Sequence, residues 1–282
     1  MSVIYRTGLI VVILMAAWSG WLSVPVAAAA EKDSQKAELF LAANTFFSQA
    51  NDILATDPAR ARELYQKALL RYEHLVDNGV RNGKLYYNIG NVYYRLGEIG
   101  RAIVNYRRAE RYIKADPNLQ QNLNFVLSQR TDKIEEKQKE RVLKTLFFWH
   151  YDLPAYVRAL VFAATYSLFW MFLVLRLYRA KAWIHWGLGI TLTIFLLLAG
   201  SLVIDHYGHA RNRAGVLVAA EVVARKGDGR TYQPSFAEPL HGGTEFTLLE
   251  ERGKWRFIEL QDGRRTWVEA GDTELVGQGV RG

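Results

Sequence analysis

Histidine is the residue type in this sequence whose spacing most nearly suggests chemistry. His206 and His209 are three residues apart, so both imidazoles would share one face of a helix. Protein zinc sites normally use at least three side-chain ligands, and the only further ligand in suitable register is Asp205. We therefore favour interfacial histidines at a helix end over a metal site. His185 lies in an apolar stretch beside two tryptophans, and we favour the same interpretation for it.

Other catalytic arrangements are missing from the sequence. The chain has no cysteine, which excludes disulfides, thiolate zinc sites and thiol nucleophiles. The motifs Gly-x-Ser-x-Gly and His-Glu-x-x-His and the phosphate-binding P-loop are also absent. We therefore predict no catalytic residue, no metal and no cofactor.

The charge pattern argues against nucleic-acid binding. The net charge is +8, but basic residues are interleaved with acids along the helical region, and no single basic face or arm stands out. A moderately basic balance is equally typical of a membrane protein whose short loops contact anionic lipid.

The N-terminal residues predict an exported protein. Arg6 supplies a positive charge, the run Leu9–Val24 is apolar, and Pro25 precedes an alanine-rich stretch. This order is typical of a signal peptide over residues 1–30, and we expect cleavage before Glu31. The long apolar run leaves an uncleaved membrane anchor as the alternative.

Residues 31–130 have helical periodicity, which is most regular over residues 83–117. Small residues and large aromatic residues recur there where two helices would cross. They are Tyr86, Ile89, Gly90 and Tyr93 in the first helix and Ala102, Tyr106 and Ala109 in the second. This spacing resembles the tetratricopeptide repeat (TPR), a helix–turn–helix unit of about 34 residues. Because Ala61, Tyr65 and Ala68 repeat the second-helix pattern, we predict a TPR-like domain with at least two helix pairs.

The TPR resemblance implies a binding groove lined by the first helix of the pair. By the family's register, the residues that project into it are Lys84, Tyr87, Asn88, Asn91 and Tyr94. Peptide-binding TPRs often use the position of Asn91 to hydrogen-bond a ligand backbone. Carboxylate-clamp TPRs place a lysine where this chain has Tyr87, which argues against recognition of a C-terminal carboxylate. The alternative is that the tyrosines only complete the packing.

Two long apolar stretches predict a membrane hairpin. Residues 131–152 are predicted to form a charged linker helix that ends in an interfacial aromatic belt. Residues 153–178 and 182–204 are long enough to cross a bilayer. Arg176, Arg179 and Lys181 lie around the turn of this hairpin with no acid beside them, which is typical of a cytoplasmic loop. Two crossings return the C-terminus to the exported side, so we predict a two-pass inner-membrane protein.

Residues 214–276 have a pattern of short β-strands separated by glycine turns. We predict strands at 216–218, 245–250, 255–260 and 266–268. This arrangement resembles the bacterial SH3 domain, a small all-β barrel, although the tyrosines used for proline-rich ligands in eukaryotic SH3 domains are missing. The candidate surface residues are Trp255 and Trp267. We favour core packing for both over an exposed platform, because so small a domain has few other large apolar residues.

The predicted fold is therefore multidomain: an α-helical TPR solenoid, two transmembrane helices and a small SH3-like barrel. This order resembles the BatE family of the Bat aerotolerance operons. The resemblance implies an inner-membrane protein that acts with von Willebrand A-domain membrane proteins and a MoxR-type AAA+ ATPase in oxidative-stress tolerance or envelope maintenance. We accordingly predict a non-enzymatic scaffold with its TPR and SH3-like domains in the periplasm.

Two other functions compete with the scaffold. The first is a cell-wall sensor whose SH3-like domain binds peptidoglycan peptides. The second is an enzyme that uses a metal bound by His206 and His209.

Overall fold

The computed structural model describes residues 26–134, 142, 145–151, 153–179, 181–210 and 213–277, with the backbone alone for 26–32, 151 and 205–210. The predicted signal peptide therefore lies mostly outside the described residues, as does a little under half of the predicted linker. Within the described residues the chain forms eight α-helices and seven β-strands. It divides into two compact units, one ending at Asn78 and the other beginning at Gly79.

The first unit contains one helix pair, α1 (Val26–Ile53) and α2 (Pro58–Asp77). Helix α2 begins after Asp57, whose carboxylate accepts a 2.9 Å hydrogen bond from the backbone N–H of Arg60. Two buried tyrosines of α2 are bonded to asparagines of α1. The bonds run from Tyr65 to Asn51 at 2.7 Å and from Tyr72 to Asn44 at 2.6 Å. The pair is thus held by apolar packing and by hydrogen bonds between its helices.

The second unit begins with three helices, α3 (Gly83–Leu96), α4 (Ile99–Ile113) and α5 (Pro117–Ser128). Gly97 ends α3 with a φ of +84°, a left-handed conformation that favours glycine. The predicted close crossing of α3 and α4 is confirmed, because a Cβ atom at Gly90 would lie 2.7 Å from the ring of Tyr106. Helices α3 and α4 therefore form the predicted pair.

Three further helices follow: α6 (Phe148–Tyr151), α7 (Ala155–Tyr178) and α8 (Ala182–Ala210). Among the described residues, Ala155–Tyr178 and Ala182–Ile204 are long and apolar enough to cross a membrane, with mean hydropathies of 1.8 and 2.3. They pack against each other, and the rings of Phe162 and Phe195 stack with centroids 4.8 Å apart. The two predicted spans therefore correspond to a pair of packed apolar helices.

The remaining described residues form the sheet domain, residues 214–276. Its strands are β1 (Ala214–Leu217), β2 (Glu221–Val222), β3 (Leu240–His241), β4 (Glu245–Arg252), β5 (Trp255–Leu260), β6 (Arg265–Glu269) and β7 (Thr273–Leu275). The predicted strands at 245–250, 255–260 and 266–268 are confirmed, and the first strand begins two residues before its predicted start.

The sheet domain is an open structure within the described residues rather than the predicted closed barrel. Five antiparallel strands are ordered β6-β5-β4-β1-β7, and β2 and β3 form a separate two-stranded ribbon. A single backbone bridge between Arg225 and Trp267 joins the segment after β2 to β6. The ribbon strands have only two residues each, too few to close the sheet.

The linker also departs from the predicted helix. Residues 131–134 are not helical, and residues 135–141 lie outside the described part of the chain. In this stretch the Asp132 side chain is hydrogen-bonded to the sheet domain, a long-range contact.

Candidate protein-binding surface and helix–sheet junction

The five predicted groove residues lie on α3, but they have different environments. Lys84 is exposed, whereas Tyr87, Asn88, Asn91 and Tyr94 are half-buried. The ring of Tyr94 makes an edge contact with Phe125 of α5, with ring centroids 5.7 Å apart. Part of the predicted groove is therefore used for contacts between helices.

Asn91 lies at the centre of a hydrogen-bond network between α3, α4 and α5. Its Oδ1 atom accepts bonds from the Tyr106 hydroxyl at 2.7 Å and from Nδ2 of Asn122 at 3.0 Å. The Asn122 amide also donates to the Tyr87 hydroxyl oxygen at 2.9 Å. Burial, together with the nearby Tyr87 hydroxyl, raises the pKa of Tyr106 far above its ordinary value, so this hydroxyl stays protonated and donates. The packing interpretation thus accounts for Tyr87 and Asn91.

The outer surface of α3 carries a polar stripe made of Lys84, Asn88 and Arg95. These positions are four and seven residues apart, so they fall on one helical face. Lys84 and Arg95 are exposed and Asn88 is half-buried. Arg95 was not among the predicted groove residues. It lies seven residues after Asn88, which is about two helical turns, and this spacing places both residues on the same face.

Helix α4 contacts the sheet domain closely at Gly100. A Cβ atom at this position would lie 2.3 Å from the carbonyl oxygen of Leu217 and 2.9 Å from the Cα atom of Val218. Both neighbours are backbone atoms, which cannot move aside as a side chain can. Only glycine therefore permits this approach of helix and sheet.

Arg108 of α4 is buried against the last strand of the sheet. Its side chain is 4% exposed, and one terminal nitrogen lies 3.1 Å from the carboxylate of Glu274. The same nitrogen, Nη2, donates to the carbonyl oxygen of Leu275 at 2.9 Å. Burial lowers the pKa of Arg108, and the carboxylate of Glu274 opposes this shift. The arginine thus fixes α4 to β7 through both backbone and side-chain acceptors.

A second ion-pair cluster surrounds Glu245 on β4. Its carboxylate accepts from Nε of Arg107 at 2.7 Å and from Nη1 of Arg130 at 3.2 Å. The amide of Gln261 donates to it at 3.1 Å. Burial alone would lower the pKa of Arg107, but Glu245 and Glu110 outweigh it and raise the pKa above its ordinary value. The acid therefore links α4, the end of α5 and the sheet.

Asp132 completes this helix–sheet junction. Its carboxylate accepts from the backbone N–H of His241 at 2.7 Å and from the Thr244 hydroxyl at 2.7 Å. The imidazole Nδ1 of His241 lies 2.8 Å from the other oxygen. Burial alone would raise the pKa of Asp132, but these hydrogen bonds outweigh it and hold the pKa below its usual range. The residue thereby ties residues 131–134 to strand β3 and the turn that follows.

The two tryptophans of the sheet domain differ in exposure. Trp267 is buried, with 8% of its surface exposed, and its ring stacks on Phe257 with centroids 5.0 Å apart. The guanidinium carbon of Arg252 lies 5.0 Å from the Trp267 ring centroid. Trp255 is half-buried at the start of β5. Trp267 thus occupies a packed position, and Trp255 keeps part of its ring accessible.

Of the three histidines singled out in the sequence, only His185 has a described side chain. His185 is exposed on α8, with Nδ1 3.2 Å from the carbonyl oxygen of Lys181. The side chains of His206 and His209 lie outside the described part of α8. Among the described side chains, no group of three or more histidine or acidic residues is arranged to hold a metal.

The junction itself was not predicted from the sequence. Arginines within a charged helix look solvated, and Asp132 lies in a segment with a helical pattern. The one available signal was Gly100, a glycine in the first turn of an otherwise strong helix pattern.

Comparison with known proteins does not assign a family to this chain. No protein-family model matches the chain, and no curated protein matches its sequence.

Proposed function

We propose that this chain is a non-enzymatic inner-membrane scaffold that docks partner proteins on the periplasmic side of the membrane. In this proposal the helix pairs α1–α2 and α3–α4 are TPR repeats. Residues 214–276 are a divergent SH3-like domain with an open sheet. The chain would then act as the BatE component of an aerotolerance or envelope-stress system.

The observation that carries this proposal is the unequal use of the two helices in the α3–α4 pair. The sheet domain is attached through α4, by Gly100, Arg107 and Arg108. Helix α3 keeps Lys84 and Arg95 exposed to solvent. A rigid support behind one helix and an exposed polar stripe on the other is what a docking surface requires.

The chemistry of the stripe favours an acidic partner segment. Lys84 and Arg95 are eleven residues apart on one helix, which corresponds to about 16 Å at about 1.5 Å per residue. An extended chain covers about 3.3 Å per residue, so a partner segment of about five residues would reach both cations. Asn88 lies between the cations on the same helical face.

The proposed orientation follows from the basic residues between the two spans. Arg176, Arg179 and Lys181 are exposed at the turn that joins α7 to α8. Basic residues in short loops favour the cytoplasmic side. With this turn in the cytoplasm, the helix pairs and the sheet domain are on the periplasmic side.

The proposed partners come from the family resemblance alone. They are von Willebrand A-domain membrane proteins, which act with a MoxR-type AAA+ ATPase. The proposed output is oxidative-stress tolerance or maintenance of the envelope.

The test is affinity capture of tagged full-length protein from membranes solubilised in mild detergent, followed by mass spectrometry. The stripe variant carries Lys84→Glu and Arg95→Glu. The matched control carries Lys67→Glu and Lys133→Glu, two charge reversals at exposed positions outside α3. We expect von Willebrand A-domain proteins to be recovered with wild type and control and to be lost with the stripe variant.

Equal recovery with all three proteins would show that the stripe is not the docking surface. If no such partner is recovered and full-length protein instead co-sediments with purified sacculi, the cell-wall sensor replaces the scaffold. Trp255→Ala should then reduce the co-sedimentation, because Trp255 is the partly accessible tryptophan of the sheet domain.

A further inference from the structure

A cavity of about 660 Å³ lies where the first span begins. One wall is the end of α4, including Arg111 and Lys114, and the other is the start of α7, including Tyr156 and Arg158. His150 of α6 also lines the cavity. The inference rests on the proposed function: with α7 crossing the bilayer, the cavity lies at the level where water, headgroups and acyl chains meet.

Arg158 is held in a fixed position at this wall. It is 3% exposed, and its Nε atom donates to the carbonyl oxygen of Leu153 at 3.2 Å. Its Nη1 atom donates to the hydroxyl of Ser201 on α8 and lies 3.1 Å from Nδ1 of His150. Placing an arginine in an apolar membrane helix costs free energy, and such residues normally have a functional role. Here it is a charge fixed in place by both membrane helices.

The acids at the cavity are engaged by neighbouring groups. The carboxylate of Glu110 accepts from Arg107 at 2.9 Å and from Gln120 at 3.2 Å. The carboxylate of Asp116 accepts from the first backbone N–H groups of α5. Arg111 and Lys114 are both exposed on the same wall. The N-terminal end of α7 adds a partial positive charge. Among the described side chains that line it, the cavity has three arginine or lysine residues and two acids, and both acids are bonded to neighbouring groups.

We propose that this cavity binds the phosphate headgroup of an anionic phospholipid. Arg111 and Lys114 contact the phosphate from the aqueous side, and the buried positive charge of Arg158 attracts it from the membrane side. Tyr156 and Leu160, which are 66% and 67% exposed on α7, provide an apolar surface along which the acyl chains lie. A phospholipid of the surrounding leaflet matches both the basic residues and the apolar surface. A soluble phosphate matches only the basic residues.

Native mass spectrometry of the detergent-solubilised full-length protein tests this proposal. The probes are phosphatidylglycerol, phosphatidylcholine of equal chain length, and inorganic phosphate. The variant carries Arg111→Gln and Lys114→Gln, both at exposed positions. The control carries Lys226→Gln and Lys254→Gln on the sheet domain, which removes the same charge from exposed positions.

We expect wild type and control to retain phosphatidylglycerol in preference to phosphatidylcholine. Loss of about fivefold in affinity per basic residue removed predicts a drop of about 25-fold for the double variant. Equal retention of the two lipids, or an unchanged preference in the variant, would overturn the proposal. Displacement of phosphatidylglycerol by an equal concentration of inorganic phosphate would also overturn it, because the site would then be one for soluble phosphate.

Discussion

The helix pairs α1–α2 and α3–α4 are built on the same contacts. Each has an alanine, a tyrosine four residues later and a second alanine three residues after that, all buried on the second helix. In each pair the tyrosine hydroxyl donates a 2.7 Å hydrogen bond to an asparagine of the first helix, from Tyr65 to Asn51 and from Tyr106 to Asn91. The shared pattern therefore specifies how the two helices of a pair meet.

The pairs differ on the outer face of the second helix. Counting from the shared tyrosine, Arg108 of α4 corresponds to Lys67 of α2, and Gly100 corresponds to Ala59. Arg108 is buried against the sheet domain, whereas Lys67 is exposed. The shared helix-pair pattern therefore does not determine the residues of this outer face. On α4 the outer face forms the junction with the sheet, whereas Lys67 at the equivalent position of α2 is exposed.

A Gly100→Ala substitution should give the largest effect. Alanine would stabilise a solvent-exposed helix by about 1 kcal/mol relative to glycine. At Gly100 the new methyl group would lie 2.3 Å from a backbone oxygen, so we expect a destabilisation of about 3 kcal/mol instead. Urea unfolding of the detergent-solubilised full-length protein measures the change. A stabilising Gly100→Ala would refute the close contact.

Arg108→Ala and Lys67→Ala compare the two outer faces directly. Removing the buried guanidinium deletes bonds to Glu274 and to the Leu275 carbonyl, and we expect a loss of about 2 kcal/mol in the free energy of unfolding. The equivalent exposed change, Lys67→Ala, should lie within about 0.5 kcal/mol of wild type. Equal effects in the same unfolding assay would mean that the two helices do not differ in this respect.

Asn91→Ala and Asn51→Ala compare the shared tyrosine bonds. Asn91 accepts two hydrogen bonds and Asn51 accepts the one from Tyr65, so we expect losses of about 2 and about 1 kcal/mol. Thermal unfolding followed by tyrosine and tryptophan fluorescence is suited to this comparison. If Asn51→Ala lost more unfolding free energy than Asn91→Ala, the expected extra stabilisation from the Asn122–Asn91 hydrogen bond would be contradicted.

The smallest expected effect is the pH dependence that comes from Asp132. Hydrogen bonds lower the pKa of this carboxyl in the folded state. Its stabilising contribution is therefore complete above the unfolded-state pKa of about 3.9 and is lost as pH falls through the lower folded-state value. We expect wild type to exceed Asp132→Asn in unfolding free energy at pH 7, and the difference to shrink below about pH 4. If the difference in unfolding free energy between wild type and Asp132→Asn stayed constant across this pH range, the ionised Asp132 carboxylate would not be the stabilising group.

The amino-acid sequence predicted the structure well where periodicity carries the information. The helix pair around Gly90 and Tyr106, the two apolar spans and the strands at 245–250, 255–260 and 266–268 all follow from repeating apolar positions. It failed where long-range contacts decide the structure. Arg108 and Asp132 find their partners more than a hundred residues away along the chain, and a local charge pattern does not indicate such pairs.

The open sheet was missed for a related reason. The ribbon strands β2 and β3 have two residues each, and the segment between them has little alternation of apolar and polar residues. Turn-rich stretches of this kind do not specify strand pairing locally. The groove residues were placed on the correct helix, but the roles of Tyr87 and Asn91 in packing depend on Asn122 of a different helix.

The most direct test concerns α4, which we describe as common to the helix pair and the sheet domain. Hydrogen exchange of the detergent-solubilised full-length protein measures the protection of α4 and β7 separately, in wild type and in the Arg108→Ala variant. We predict that the substitution lowers protection in both elements together, because Arg108 joins them. Loss of protection in α4 with β7 unchanged would contradict a shared structural unit.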